Sequence, residues 1–350
     1  MKSDHDCFYA YMGILSIKKS VVEFLIIIKF LVWLSRRINP KFNFFLRKNK
    51  DTLDYMRDTF GVDPLIKREV EENLREFLVQ QAAWCNDASF SVRFPYRELG
   101  LPQAFFLQKL TEHKGATYLT GPRYVNGDIT RPFIELVASS RPLGKNAASE
   151  IFDVWRPLGA QSIRVLHRAG NPTPGIIDQS IYARAVPKDF AQLTHKLNCK
   201  LIIGTGADLE WCLNAMNVAY DATYKKFPGL STEASCSDEE DILDALTGGN
   251  LFIILQSGHR AGFIICENKR RDFFTGNWIL DEVVLPDFRG QGLAAAAQIE
   301  LLKNFYLLDQ KHALLGTIVS GNFPSRRAAA SAGRVSVLDY VFMSPETFRE

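Results

Sequence analysis

The feature that most constrains the fold is a segment in which a β-rich run turns through two glycines into a helix. It reads Val284-Leu285-Pro286-Asp287-Phe288-Arg289-Gly290-Gln291-Gly292-Leu293-Ala294, and alanine continues to Ala297. Glycine allows the backbone to approach a ligand closely, and the first amides of a helix present a partial positive charge. The segment therefore predicts a strand, an anion-binding loop and a helix, in that order.

A second motif follows one predicted helix and one predicted strand later. It consists of Asn322-Phe323-Pro324-Ser325, then Ala328 and Gly333. The two motifs resemble the V-x-P-x-x-[RQ]-x-x-G-x-[GA] and N-x-P-S-x-x-x-A-x-x-x-x-G elements of the GNAT acetyltransferase family. The resemblance covers roughly residues 198 to 345 and is carried by the motifs together with their placement.

The resemblance implies a GNAT fold, in the α/β class with a mixed sheet, and acetyl-CoA as co-substrate without a metal. In the family, the strand before the loop splays from its parallel neighbour and pairs with the pantetheine arm, and the loop receives the diphosphate. Arg289 is expected to place a cation beside that diphosphate. The expected cofactor-binding residues are Val283, Val284, Arg289, Gly290, Gln291, Gly292, Leu293, Ala294, Asn322 and Ser325.

The expected reaction is attack of an amine on the thioester, for which the amine must first lose a proton. An ammonium group has a pKa near about 10, so a carboxylate is needed as base. Glu282 is the candidate, with Asp281 next, although a solvated strand-end charge is an equally good interpretation of Glu282. Many family members protonate the leaving thiolate with a tyrosine at the position of Ala329, and Ser325, Tyr340 or water remain open as substitutes.

The order of strand, loop, helix, strand and Gly-Asn occurs twice in the chain. Glu135 and Asn171 are 36 positions apart (171 minus 135), and Glu282 and Asn322 are 40 apart (322 minus 282). We therefore predict tandem GNAT-like lobes over residues 51–197 and 198–350, after an N-terminal segment 1–50. In the first lobe Pro142 lacks an N–H and Asn146 replaces a small residue, so this copy is interpreted as degenerate, shaping the acceptor site or binding a partner.

Local patterns predict the elements of both lobes. In the first, helices are predicted at 64–83 and 147–155 and strands at 116–119, 132–138, 162–167 and 176–186. In the second, strands are predicted at 200–203, 251–256, 261–266, 278–285 and 313–319 and helices at 208–220 and 294–307.

The N-terminal segment holds the basic charge of the chain. Residues 1–50 contain ten Lys or Arg and three Asp or Glu, a local charge of +7, so the other 300 residues sum to −4 within the net +3. The FLIIIKFLVWL run at 24–34 is too short to span a bilayer. Residues 14–37 are expected to contact an anionic membrane surface or a partner, or to pack as a helix on the first lobe. We expect a cytoplasmic protein, peripheral at a membrane if at all, and no nucleic-acid partner.

Other chemistries lack their motifs. The six cysteines show no C-x-x-C spacing, and the sequence contains no H-E-x-x-H, G-x-S-x-G or G-x-x-x-x-G-K-[ST] element. The leading expectation is an enzyme that transfers acetyl from acetyl-CoA to an amine on a small molecule, peptide or protein. Transfer of a longer acyl or aminoacyl group and a non-catalytic CoA-binding scaffold are the alternatives.

Overall fold

The computed structural model describes residues 40–61, 63–172, 174–308, 310 and 312–348. The helices are α1 (Pro40–Phe60), α2 (Lys67–Ala83), α3 (Ala88–Ser91), α4 (Lys145–Val154), α5 (Leu209–Lys226), α6 (Glu239–Thr247), α7 (Leu293–Leu307) and α8 (Phe323–Ser331). The strands are β1 (Lys109–His113), β2 (Ala116–Tyr124), β3 (Pro132–Ser139), β4 (Ile163–Arg168), β5 (Ile176–Arg184), β6 (Cys199–Ile203), β7 (Leu251–Gln256), β8 (His259–Arg271), β9 (Phe274–Val284), β10 (Leu314–Val319) and β11 (Val335–Met343).

All eleven strands join one mixed sheet, so the predicted α/β fold class is confirmed. Its order is β1-β2-β3-β4-β11-β5-β10-β9-β8-β7-β6. The pairs β3–β4 and β9–β10 are parallel, and the other neighbours are antiparallel. Residues 51–350 cluster as one compact unit, apart from residues 1–50.

The strand order is palindromic. If β1 to β5 are matched with β7 to β11, the order reads the same from either end, with β6 added at one edge. As a result β5 lies between β10 and β11, and β11 lies between β4 and β5. Each half of the chain therefore completes the sheet of the other half. This arrangement is what two copies of one unit would give, and the duplication itself stays a prediction.

In each half, the two parallel strands pair at only two positions and then separate. In the second half β9 and β10 pair only at Asn277 with Leu314 and at Trp278 with Leu315. On its other edge β9 pairs with β8 along its length, interrupted by one irregularity near Leu280. Residues 279–284 thus have a β10-facing edge that β10 does not pair. The splay expected from the family resemblance is present.

Helix α7 lies close to the sheet because its first turns are small. Ala295, Ala296 and Ala297 are all buried there. Farther along, Ile299 and Leu302 join a buried cluster with residues of β8 and β10. Alanine is also the strongest helix former, so the same residues favour the helix and its close packing. The packing fixes where the helix begins, next to the glycine loop.

Within the part of the chain that the structure describes, no helix is both long enough and apolar enough to cross a membrane. Residues 14–37, for which a membrane or partner contact is predicted, lie outside the described residues.

Candidate functional site

The glycine loop forms an open cradle at the start of α7. Gly290 and Gly292 have φ values of +78° and +85°, and a Cβ built on either meets no heavy atom within 4 Å. Gly292 is the N-cap residue of α7 and has no side chain to cap it. The first amides of the helix, including those of Leu293 and Ala294, have no acceptor within the helix. The loop therefore combines accessible space with amides that favour an anion.

Arg289 braces this loop. Its Nε donates to the Val284 carbonyl at 2.8 Å, and its Nη2 donates to the Ala219 carbonyl in α5 at 2.7 Å. Burial lowers the pKa of the guanidinium. The side chain thus links the loop to the end of β9 and to α5. The direct contact with a diphosphate that the sequence suggests for Arg289 stays a prediction.

The other predicted cofactor residues have local roles that the geometry makes plain. The Gln291 Oε1 accepts from Gln256 Nε2 at 3.0 Å, which joins the loop to the end of β7. Asn322 caps α8, because its Oδ1 accepts from the Ser325 amide at 3.2 Å. Val283 is buried in β9. These contacts explain the motif residues as structural elements, and their contacts with a cofactor remain predictions.

Glu282 keeps one carboxylate oxygen free. Its Oε2 accepts from Gln298 Nε2 at 2.9 Å, whereas its Oε1 is buried and accepts no hydrogen bond from any residue that the structure describes. The residue as a whole remains partly exposed, although its Oε1 atom is buried. Burial raises the pKa of Glu282 to about 7, although the Gln298 hydrogen bond and the charge of Arg334 both act to lower it. A carboxyl group with this pKa exchanges protons near neutral pH.

Asp281, the next candidate, is fully engaged. Its Oδ1 accepts from the Tyr220 hydroxyl at 2.9 Å, and its Oδ2 accepts from both the amide and the hydroxyl of Ser237 at 3.1 Å. Burial raises the pKa of Asp281, and these donors oppose the rise. Asp281 therefore fixes the segment around Ser237 against β9. Of the two neighbouring carboxylates, Glu282 has the available oxygen.

Ala329, where the sequence has no tyrosine, is covered by residues of two strands. Ala329 is fully buried and packs with Ile318 and with Tyr182 of β5. The Tyr182 hydroxyl accepts from Arg326 Nε at 3.1 Å. Tyr340, one of the substitutes considered from the sequence, instead stacks against Arg164 in the first half. The sequence could not indicate Tyr182, because β5 reaches this place only through the strand exchange.

The first half holds a glutamate on β3, but it is ion-paired, and the register of the parallel strands matches it with Trp278 rather than with Glu282. Glu135 accepts from Arg164 Nε at 2.7 Å, and Arg164 Nη1 donates to Asp178 at 3.0 Å. Burial raises the pKa of Glu135, and Arg164 opposes the rise. The guanidinium of Arg164 thus contacts the Glu135 carboxylate directly. By the strand register Ser139, and not Glu135, occupies the place that corresponds to Glu282.

Comparison with known proteins finds matches only among solved structures. No family model and no curated protein matches the sequence. A GCN5-related N-acetyltransferase from Sphaerobacter thermophilus is 14% identical, covering 65% of this chain and 79% of that one at a TM-score of 0.45. A GNAT-family acetyltransferase from Colwellia psychrerythraea is 13% identical, covering 74% and 97% at a TM-score of 0.41. One from Bacillus anthracis is 17% identical, covering 47% and 99% at a TM-score of 0.30.

At these identities and TM-scores no residue's role follows from the matches. The chain itself has the glycine loop between β9 and α7, the splay of β9 from β10, and Asn322 capping the helix after β10. The loop and the splay are the features that the resemblance led us to expect of a GNAT fold.

The environment of Glu282 makes a prediction about stability. Its pKa is about 7 in the folded protein against an ordinary value of 4.5, so the folded state binds the proton more tightly than the unfolded state. Stability is therefore lost as pH rises between those values. Glu282→Gln does not titrate. The difference in the free energy of unfolding, variant minus wild type, should therefore increase by about 3 kcal/mol from about pH 4.5 to about pH 8.

Urea titrations of both proteins across this range measure the difference. Groups shared by the two proteins cancel, so the difference isolates Glu282. If the two curves run parallel with pH, the carboxyl is not held in a buried environment.

Proposed function

We propose that the second half of this chain is an acyl-CoA-dependent N-acyltransferase that transfers acetyl from acetyl-CoA to an amine. The observation that carries the proposal is the free, buried Oε1 of Glu282 on the unpaired stretch of β9 that leads into the glycine cradle. The cradle suits a diphosphate, and the unpaired strand edge suits an extended chain that contains amides. A thioester joined to such a chain would lie beside a base.

The reaction follows from these groups. The acceptor enters as an ammonium, and Glu282 Oε1 takes one proton from it, directly or through water. The neutral nitrogen then attacks the thioester carbonyl, forming the C–N bond, and the C–S bond breaks. The nitrogen then loses its second proton, the leaving thiolate takes up one proton, and Glu282 releases the first to solvent. A base with a pKa near neutrality both accepts and returns the proton readily at physiological pH.

A second candidate function is a CoA-binding protein without turnover. Ala329 favours it, because no hydroxyl stands at the helix position from which many GNAT enzymes protonate the thiolate. The available oxygen of Glu282 favours catalysis, since a binding protein has no use for a buried base. An assay of free thiol release from acetyl-CoA, with longer acyl-CoAs in parallel and a panel of amines, separates the two functions.

Binding of acetyl-CoA should depend on the open space at Gly292. Gly292→Glu puts a bulky anion at the start of α7, so acetyl-CoA affinity measured by calorimetry should fall by at least about 100-fold, equivalent to roughly 3 kcal/mol. Gly115→Glu is the matched control, because Gly115 has a φ of +77° and open space but lies in the β1–β2 turn. Equal affinities in the two variants would contradict the cradle assignment.

Turnover should depend on the carboxylate of Glu282. Glu282→Gln keeps the size of the side chain but removes the basic oxygen, so turnover should fall by about 10²- to 10⁴-fold while acetyl-CoA affinity stays nearly constant. Higher pH should partly restore the rate, because more of the amine then arrives neutral. Wild-type turnover by this variant would move the base elsewhere, and Asp281→Asn would be the next variant to assay.

A further inference from the structure

Glu282 is the first member of a polar series that crosses three elements. Gln298 of α7 donates through Nε2 to Glu282 Oε2 at 2.9 Å. Arg334, just before β11, donates through Nη1 to Gln298 Oε1 at 3.3 Å. Gln298 is 1% exposed and Arg334 is 3% exposed. Neither residue belongs to the motifs of the sequence.

The chemistry of Arg334 fixes the orientation of the glutamine amide. A guanidinium can only donate hydrogen bonds, so the oxygen of Gln298 must face Arg334. The nitrogen of the amide therefore faces Glu282 and can only donate to it. This removes the usual ambiguity between the two ends of an amide. The bond from this nitrogen reaches Oε2, and Oε1 has no partner among the described residues.

Arg334 is held in place from several sides. Its Nη2 donates to the Tyr182 carbonyl of β5 at 3.3 Å. A Cβ on Gly316 of β10 would come within 2.3 Å of the guanidinium, so only glycine leaves room for it. The nearest carboxylate partner is reached through Gln298, and Nε has no partner among the described residues. A buried arginine paired so indirectly costs stability, which suggests that its charge serves another purpose.

The other titratable groups near this series do not compete for the proton. Asp281 lies next to Glu282 on β9 and is engaged by Tyr220 and Ser237. Cys266 of β8 lies near Arg334, and burial raises the pKa of its thiol to about 12, so it stays neutral. Arg334 thus lowers the pKa of Glu282 from the elements packed against β9, and the charge of Asp281 on β9 itself raises it.

We propose that Gln298 and Arg334 are positioning residues that hold Glu282 with Oε2 occupied and Oε1 free to take the proton from the acceptor amine. This inference rests on the proposed function. Gln298 links Arg334 to the Oε2 atom of Glu282 through two hydrogen bonds, and it makes no hydrogen bond to Oε1. A direct ion pair, as between Glu135 and Arg164 in the first half, would instead place the guanidinium against the carboxylate itself.

Gln298→Met and Arg334→Met test the proposal in the full-length protein. Either change removes a stabiliser of the carboxylate, so Glu282 should titrate about one pH unit higher than in the wild type. The acidic limb of the turnover profile should move by the same amount. Turnover should fall about fivefold at about pH 7 and return to within about twofold of the wild type at about pH 9.

Two controls separate a positioning role from a structural one. Arg334→Lys keeps a cation and should leave the acidic limb closer to its wild-type place than Arg334→Met does. Gln108→Met removes a buried glutamine that bonds Gln81 far from this series, and its profile should match that of the wild type. Because methionine has nearly the length of glutamine, Gln298→Met carries the test if Arg334→Met does not fold.

The decisive measurement is a carbon-13 NMR titration of glutamate carboxyls, with the Glu282 signal identified by its loss in Glu282→Gln. An upward shift in Gln298→Met supports the proposal, and a midpoint within about 0.3 pH unit of the wild type overturns it. This readout needs no turnover. If Glu282→Gln keeps wild-type activity, the proposed base is wrong, whereas the titration still decides whether Gln298 and Arg334 control the carboxyl.

Discussion

The site depends on the early parting of β9 from β10. These parallel strands pair at only two positions, so residues 279–284 present peptide groups that β10 does not satisfy. Unpaired backbone groups are costly when they are buried, and a fold that keeps them generally gives them another partner. The same parting sets Glu282 at the edge of the gap and leads β9 into the glycine loop. The cradle, the base and the gap are thus consequences of one backbone arrangement.

The strand exchange at the centre of the sheet supplies the rest of the site. Because β5 lies beside β10, Tyr182 packs on Ala329 and its carbonyl receives Arg334. Because β11 begins there, Arg334 lies over Gly316. The second half therefore holds its candidate base with help from a strand of the first half. Neither half has its complete sheet alone, which explains why residues 51–350 form one compact unit.

The two halves share a strand order but differ in the contacts of their glutamates. Both carry a glutamate on the strand that precedes the loop, but Glu135 lies where β3 pairs with β4 and Glu282 lies beyond the pairing of β9 with β10. In the first half Arg164 binds Glu135 directly, and in the second half Gln298 separates Arg334 from Glu282. The second arrangement leaves the Oε1 of Glu282 without a partner among the described residues. The proposed chemistry accordingly belongs to the second half.

Local sequence patterns were sufficient where structure depends on neighbouring residues. The two glycines and the alanines after them predicted the loop and α7, whereas the helix that Asn322 caps was not predicted. The helix Glu239–Thr247 and the strand Val335–Met343 were not predicted. Gln298, Arg334 and Tyr182 were missed as site residues because long-range pairing of β5 and β11 brings them together. For Arg289 the motif predicted a contact with a diphosphate. It did not indicate that the guanidinium donates to the backbone carbonyls of Val284 and Ala219.

The central claim is that acetyl-CoA binds in the second half, along the unpaired edge of β9 and the glycine cradle. Hydrogen–deuterium exchange of the full-length protein with and without saturating acetyl-CoA tests it most directly, because exchange reports on the amides concerned. The account predicts slower exchange in residues 279–296 and unchanged exchange in the matching first-half segment 134–148. Protection confined to residues 134–148, or no protection anywhere at saturation, would contradict it.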